Sequence, residues 1–182
     1  MKNLYFIRHG ESTANVINLT GTETAMLTEK GIAQAKSAGK SAKDQGLKID
    51  VVISSPTPRA VDTAKIIAEE LKYESEIELL DILKERWFGD IEGKFLAEET
   101  GRSLEFYFAN PRSIDEFPGV EKLADLHRRA ESVIKYAKNR PEENVLFVSH
   151  GALARSILKV LKNRPFDEPI ETVENAKIIK LI

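Results

Sequence analysis

Arg8-His9-Gly10 and Ser149-His150-Gly151 each follow directly on a short apolar run, Leu4–Ile7 in the first case and Val145–Val148 in the second. Two of the three histidines therefore stand where buried strands end. Each is followed by a glycine, which allows a sharp turn or a close approach of backbone to a ligand. In open α/β sheets ligands bind beyond the carboxyl ends of the strands. An imidazole can attack as a nucleophile or carry a proton, and a guanidinium matches phosphate in charge and shape. Two imidazoles and an arginine at such a rim point to phosphate chemistry.

Arg59 lies just inside a helix that opens at Thr57-Pro58, where free backbone N–H groups favour an anion. Glu85 stands between Lys84 and Arg86, ahead of Trp87 and Phe88. It reads either as a solvated acid or as a proton donor whose pKa is raised by burial against those rings, and spacing leaves both open. His127, beside the apolar stripe of its helix, reads as structural or exposed, and Arg128-Arg129 as a solvated helix face. Phe95, Phe106, Tyr107 and Phe108 read as the core of a small lid whose inner face is also a pocket wall.

The elements that must hold these residues follow from periodicity. Leu4–Ile7, Val51–Ile53, Ile77–Leu80 and Val145–Val148 read as strands, and Ile178–Ile182 as a last strand at a sheet edge. Thr28 caps a helix with Ile32, Ala35, Gly39 and Ala42 on its inner face. A second helix carries Val61, Ala64, Ala68 and Leu71 inward. A third carries Leu123, Leu126, Ala130, Val133, Ile134 and Ala137. Ala152–Leu161 is a fourth. Of eight Phe, four Tyr and one Trp, seven fall between Trp87 and Phe117, where the periodicity weakens. The expected architecture is a three-layer α/β/α fold with a mostly parallel sheet, one antiparallel edge strand and a short lid insertion. Right-handed crossovers put Arg8-His9, Ser54-Ser55 and Ser149-His150 on one rim.

The chain has 182 residues, 42% hydrophobic and 31% charged, with a formal net charge of −2. These values suit one globular domain over 1–182 with a lid near 86–120, and give no basic surface for nucleic acid or an anionic membrane. Without cysteine there is neither a disulfide nor a thiolate metal site. The apolar run after Met1-Lys2-Asn3 is too short for a signal peptide, and no stretch reaches the ~20 apolar residues of a membrane span. A cytoplasmic location is expected.

Five ordered blocks resemble the histidine phosphatase superfamily, also called the phosphoglycerate mutase-like family. They are Arg8-His9-Gly10-Glu11-Ser12 with Asn15; Thr20-Gly21 and Leu27-Thr28-Glu29-Lys30-Gly31; Ser54-Ser55-Pro56 with Arg59-Ala60 and Thr63-Ala64; Leu83, Glu85, Gly89 and Glu92-Gly93; and Val148-Ser149-His150-Gly151. The resemblance implies that His9 is the nucleophile that becomes phosphohistidine. It implies that Arg8, Arg59 and His150 surround the phosphoryl oxygens, and that Glu85 is the general acid and then the base for water. Asn15, Thr20, Gly21 and the backbone N–H groups near Gly151-Ala152 complete the implied phosphate site. No metal or other cofactor is implied, and the substrate is a small phosphorylated metabolite.

The same site serves a phosphatase or a mutase primed by 2,3-bisphosphoglycerate. The mutases of the family have a longer lid with adjacent arginines, whereas here about 35 residues separate Glu85 from the Leu123 helix, with Arg112 alone in Asn110-Pro111-Arg112-Ser113. The Pro-Gly-Gly-Glu-Ser block of the mutases is only partly present, as Pro118-Gly119-Val120-Glu121. A phosphatase is therefore the preferred expectation, with Arg86, Lys94, Arg102 and Arg112 as candidates to read a second acidic group. Two rivals are a serine hydrolase, because Gly10-Glu11-Ser12-Thr13-Ala14 nearly matches a nucleophile elbow, and a non-catalytic phosphate-binding module. The first leaves Arg8, His9 and Arg59 without roles, and the second leaves Glu85 without one.

Overall fold

The computed structural model describes residues 2–169 and 172–182. Five strands form one sheet: β1 (Asn3–Arg8), β2 (Val51–Ser54), β3 (Glu78–Leu79), β4 (Asn144–Ser149) and β5 (Ile178–Lys180), in the spatial order β3-β2-β4-β1-β5. All neighbours are parallel except β5, which runs antiparallel to β1 at the edge. Arg8 lies opposite Ser149, and Ser54 opposite Val148. The exits of β1, β2 and β4 are thus level, and the polar residues that follow them share one rim, as the strand-by-strand reading requires.

Side chains alternate across the sheet with period two. Leu4, Phe6, Val51, Ile53, Val145 and Phe147 fill one face under α6 (Leu123–Lys138) and α7 (Gly151–Leu161). Ile7, Val52, Leu146 and Val148 fill the other, against Ala60, Ala64 and Ile67 of α3 (Pro58–Leu71). Beside α3 runs α2 (Glu29–Asp44), capped by Thr28. Between Glu85 and α6 the lid holds its own small core of Phe88, Ile91, Leu96, Tyr107, Ile114 and Val120. The lid includes α4 (Leu96–Thr100) and α5 (Leu104–Ala109), and α1 (Thr13–Val16) follows the first histidine.

Several local expectations are corrected. Strand β3 has two residues rather than the four of Ile77–Leu80, and α7 begins at Gly151. In α2 the buried positions are Gly31, Ala35, Gly39 and Ala42, while Ile32 faces solvent. Small residues on that face let the α2 backbone press against its neighbours. A Cβ on Gly31 would run into the Glu11 carbonyl, and one on Gly10 into the Gly31 carbonyl. The first turn of α2 is therefore seated on the loop that carries His9. Gly31→Ala is expected to destabilise the protein by about 1–3 kcal/mol through this overpacking, measured by denaturant unfolding.

Neither Gly10 nor Gly151 has a positive φ. Gly10 is needed for close approach, whereas a Cβ on Gly151 would meet Arg8 and Arg155 only at ordinary contact distance. Phe95 and Phe106, expected in the lid core, are exposed instead.

Candidate active site

His9 and His150 sit at the ends of the adjacent strands β1 and β4, with ring centroids 5.1 Å apart. Both are buried. His9 Nδ1 lies 2.7 Å from the Gly10 carbonyl, which can only accept, so Nδ1 carries the proton and Nε2 a lone pair. Burial, then the neighbouring His150 ring and the charges of Arg59 and Arg8, push the His9 pKa well below 6.5, with the Gly10 carbonyl working the other way. A neutral imidazole with a free Nε2 is what nucleophilic attack on phosphorus requires.

Arg59, buried in the first turn of α3, occupies the centre. Its Nε donates to His9 Nε2 (3.2 Å), its Nη2 to His150 Nδ1 (3.3 Å) and its Nη1 to the Thr22 carbonyl. His150 Nδ1 is therefore an acceptor, and Nε2–H donates to Ser55 Oγ (2.8 Å) and Thr57 Oγ1 (3.2 Å). Thr57 stands at the N-cap of α3 but makes no side-chain capping bond, because its hydroxyl is turned to the histidine. Burial and the Arg59 and Arg8 charges hold His150 neutral. Before an anion enters, then, His150 contributes an oriented ring rather than a positive charge.

Arg8 donates through Nη1 to the Val173 carbonyl (2.9 Å), while its buried Nε has no partner among the described residues. Asn15 Oδ1 closes a capping box with the Ser12 backbone N–H (3.1 Å). Asn175 Nδ2 holds the His9 carbonyl (2.8 Å), a contact that nothing in the order of the sequence announces. His9, Arg8, Arg59, Glu85, Asn15, Thr20, Gly21, Gly151 and Ala152 all line one cavity of about 290 Å³. His150 stands behind Arg59.

Three sequence expectations change here. The Thr20 hydroxyl is committed to the Ile91 and Lys94 carbonyls, so it pins the lid rather than offering a donor to a ligand. The Ala152 backbone N–H donates to Glu85 Oε1 (3.0 Å) rather than standing free. Glu85 itself is not raised in pKa. Burial works to raise it, but the Arg86 N–H, the Arg155 charge, the Ala152 N–H and the Arg8 charge together outweigh that and hold it below the usual carboxylate range. Trp87, invoked to raise it, is half exposed.

The lid cations are also reassigned. Arg86 is only 1% exposed and bonds Pro111 O (2.8 Å), Glu121 O (2.9 Å), Asp115 and Tyr107 Oη (3.4 Å), all inside the lid. Arg102 binds the Ser113 carbonyl and Glu116, Lys94 pairs with Glu99, and Arg112 lies near Asp115 and Asp167. None of the four lines the cavity. Arg129 is not a solvated face residue. It grips the Ile82, Lys84 and Glu85 carbonyls and the Glu121 carboxylate, fixing the segment that presents Glu85. Besides Arg8 and Arg59, the cation that lines the cavity is Arg155 of α7, one helical turn beyond Gly151 and unmarked by any block.

On the far side of Arg59 and Glu85 a second hollow is lined by Thr22, Trp87 and Glu92 among others. Burial raises the Glu92 carboxyl to about 7 against the pull of the Phe88 N–H and Arg59. Its folded pKa lies above the 4.5 of an ordinary glutamate, so the stability it contributes is lost as pH rises through about 7. Glu92→Gln mimics the protonated form. It is expected to stabilise the protein at pH 8 by about 1 kcal/mol after solvent screening, with the gain vanishing near pH 5. Denaturant unfolding at the two pH values checks the sign.

Ser12 is the N-cap of α1, and its hydroxyl accepts from the Asn15 N–H. Both His150 nitrogens are engaged by Arg59, Ser55 and Thr57, so Ser12 forms no pair with His150. Among the described residues no cluster of three His, Cys, Asp or Glu could hold a metal ion, and no helix is long and apolar enough to cross a membrane.

Comparison with known proteins agrees with this geometry. A 2,3-bisphosphoglycerate-dependent phosphoglycerate mutase of Bartonella henselae is 43% identical, over 93% of this chain and 85% of that one. A phosphoglycerate mutase of Schizosaccharomyces pombe is 32% identical, over 92% and 83%. Among solved structures, Bacillus stearothermophilus YhfR superposes with a TM-score of 0.83 at 26% identity, covering 98% of this chain and 89% of that one. The phosphoserine phosphatase of Entamoeba histolytica, solved in complex with 3-phosphoglyceric acid, gives 0.80 at 27% identity over 98% and 89%. The model of the histidine phosphatase superfamily (branch 1) matches residues 4–182. With the paired strand-end histidines and the arginines around them, this match places the chain in the histidine phosphatase superfamily.

Proposed function

We propose that the protein is a metal-independent phosphatase that hydrolyses a small phosphate monoester through phosphohistidine on His9. The observation that carries this is the His9 tautomer: Nδ1–H is committed to Gly10 O, and the Nε2 lone pair stands among guanidinium groups with a carboxyl on the same cavity wall. The ester phosphoryl displaces Nε2 as the acceptor of Arg59 and receives donors from Arg8. The Nε2–P bond forms as the P–O ester bond breaks, and the leaving oxygen takes a proton from Glu85. Water then attacks phosphorus as the N–P bond breaks, Glu85 regains a proton, and inorganic phosphate leaves.

Hydrolysis is favoured over phosphoryl return by the lid. A bisphosphorylated primer needs cations for a second phosphate, and Arg86, Arg102 and Arg112 are turned to protein partners instead. Beyond Arg8 and Arg59 the cavity wall carries one further cation, Arg155, which supports hydrolysis over a reaction primed by 2,3-bisphosphoglycerate. The mutase relatives keep the second reading open to test. A screen of phosphorylated metabolites, with and without 2,3-bisphosphoglycerate, should give phosphate release that is insensitive to the primer and to EDTA and inhibited by vanadate. Primer-dependent isomerisation of 3-phosphoglycerate faster than phosphate release would overturn the phosphatase reading.

A further inference from the structure

We propose that Asn175 is a positioning residue for the nucleophile: its amide holds the His9–Gly10 peptide plane, and through that plane the Gly10 carbonyl that keeps the ring proton of His9 on Nδ1. This rests on the phosphatase reading of His9 and adds a residue that none of the five sequence blocks contains.

The plane is held at both of its polar groups. The His9 carbonyl accepts from Asn175 Nδ2 (2.8 Å), and the Gly10 N–H donates to Thr63 Oγ1 (3.1 Å). A peptide unit is rigid, so two fixed points set its tilt. The restraint is needed because position 10 has to be glycine: a Cβ there would run into the Gly31 carbonyl. Without a side chain the backbone at Gly10 has unusual freedom, and the carbonyl that must meet Nδ1 is its own. The donor is unambiguous as well. A carbonyl oxygen only accepts, so the Asn175 atom that faces it is the nitrogen.

The segment that carries Asn175 is built around this contact. It runs beside the end of β1, with Asn175 bridged to Arg8. The Val173 carbonyl accepts from Arg8 Nη1 (2.9 Å), and the Ala176 N–H donates to the Arg8 carbonyl (2.8 Å). Val173, Asn175 and Ala176 thus grip Arg8-His9 along its length. Ala176 has a φ of +48°, a left-handed conformation that alanine keeps only where its surroundings impose it. Its methyl is buried in the same core as Ile7 and Val148, which holds the segment in place. The Asn175 amide nitrogen also lies 3.4 Å from Asn15 Oδ1, so α1 is fixed to the same point.

The clamp matters once substrate is bound. In the free protein Arg59 Nε donates to His9 Nε2, so two neighbours agree on the tautomer. A bound ester takes Arg59 for itself. Among the described residues this leaves the Gly10 carbonyl to keep the proton on Nδ1. The oxygens of a phosphate ester dianion only accept, and they draw the ring proton toward Nε2. A ring protonated there has no lone pair to offer phosphorus. Asn175 decides that competition by holding the Gly10 carbonyl in place.

The test combines kinetics with ¹⁵N NMR of the imidazoles. Asn175→Leu keeps the approximate shape of the side chain and removes the donor. It is expected to lower kcat for p-nitrophenyl phosphate by about 10- to 100-fold, as a slightly misplaced reacting group does. KM should change by less than about threefold, because Arg8 and Arg59 remain to bind the phosphoryl group. Inorganic sulfate, a tetrahedral dianion whose oxygens accept and never donate, is the spectroscopic probe. Without sulfate both proteins should show His9 protonated on Nδ1. With sulfate the wild type should stay so, and Asn175→Leu should shift toward Nε2–H. Asn175→Gln, which returns the amide on a longer stem, should recover part of kcat and of the Nδ1–H form. An unchanged kcat in Asn175→Leu, or a His9 tautomer that answers sulfate as the wild type does, overturns the proposal. If Asn175→Leu does not fold, Asn175→Asp, with a similar shape and acceptors only, is judged by the same criteria. Phosphate release by the wild type is scored separately. Its absence sinks the phosphatase reading, while the response of the tautomer to sulfate stands or falls by itself.

Discussion

His9→Ala is expected to abolish phosphate release from p-nitrophenyl phosphate, with a loss of at least about 10⁴-fold, as removal of a covalent nucleophile produces elsewhere. The neighbourhood leaves no substitute. His150 has a lone pair on Nδ1, but Arg59 donates to it and the ring is anchored by Ser55 and Thr57 on the opposite side. The Ser12 hydroxyl is committed to the start of α1. The wild-type protein, quenched during turnover of a labelled ester, should retain acid-labile, base-stable phosphate on His9, and the variant should retain none. More than about one per cent residual turnover in the variant would exclude His9 as the nucleophile. The fold should survive, because the imidazole makes no bond that holds strand to strand. The Gly10 carbonyl and Arg59 are its only side-chain hydrogen-bond partners among the described residues.

Glu85→Gln should reveal its defect through the leaving group. With alkyl phosphates, whose oxygen must be protonated as it departs, the expected loss is about 10²–10⁴-fold. With p-nitrophenyl phosphate the departing phenolate needs little help, and the loss should be smaller by at least about tenfold. The amide oxygen of Gln can still accept from the Arg86 and Ala152 N–H groups, so the local structure is kept. Equal losses on both ester types would remove Glu85 from the acid role. The free protein holds this carboxyl ionised, and an anion beside Arg8 and Arg155 reverses the balance by neutralising two of the charges that keep it so. The proton thus arrives with the substrate.

The paired histidines were legible because short continuous apolar runs end abruptly in polar residues, a pattern that marks both a buried strand and its exit. Level exits follow from parallel crossovers, and Arg8, His9 and His150 converge accordingly. Arg155 escaped notice because a lone arginine one turn into an amphipathic helix has the spacing of any surface cation. Only the three-dimensional start of α7 at the strand exit, one turn before it, brings it to the cavity wall. Arg86 and Arg129 were misassigned for a related reason. Their partners are mostly loop carbonyls, which carry no mark of residue type, so burial of a charge by backbone acceptors has no periodic signature. The pKa direction of Glu85 was left open by the sequence because two backbone N–H groups and the Arg155 and Arg8 guanidinium groups decide it, not the aromatic rings next to it in sequence. Ile32 was expected inside because it is apolar, but the close contact of α2 with the His9 loop selects small residues over apolar ones.

The bonds of Arg86 have a consequence for how such a protein can be diversified. Tyr107, Pro111, Asp115 and Glu121, the partners of one sealed guanidinium, span the lid from α5 to the start of α6. A lid exchanged between relatives has to travel with both ends of that network, or it strands an arginine without its acceptors. Change of substrate in this scaffold should therefore proceed by inheritance of whole lids, with point substitutions confined to residues outside the network such as Phe108 and Arg155.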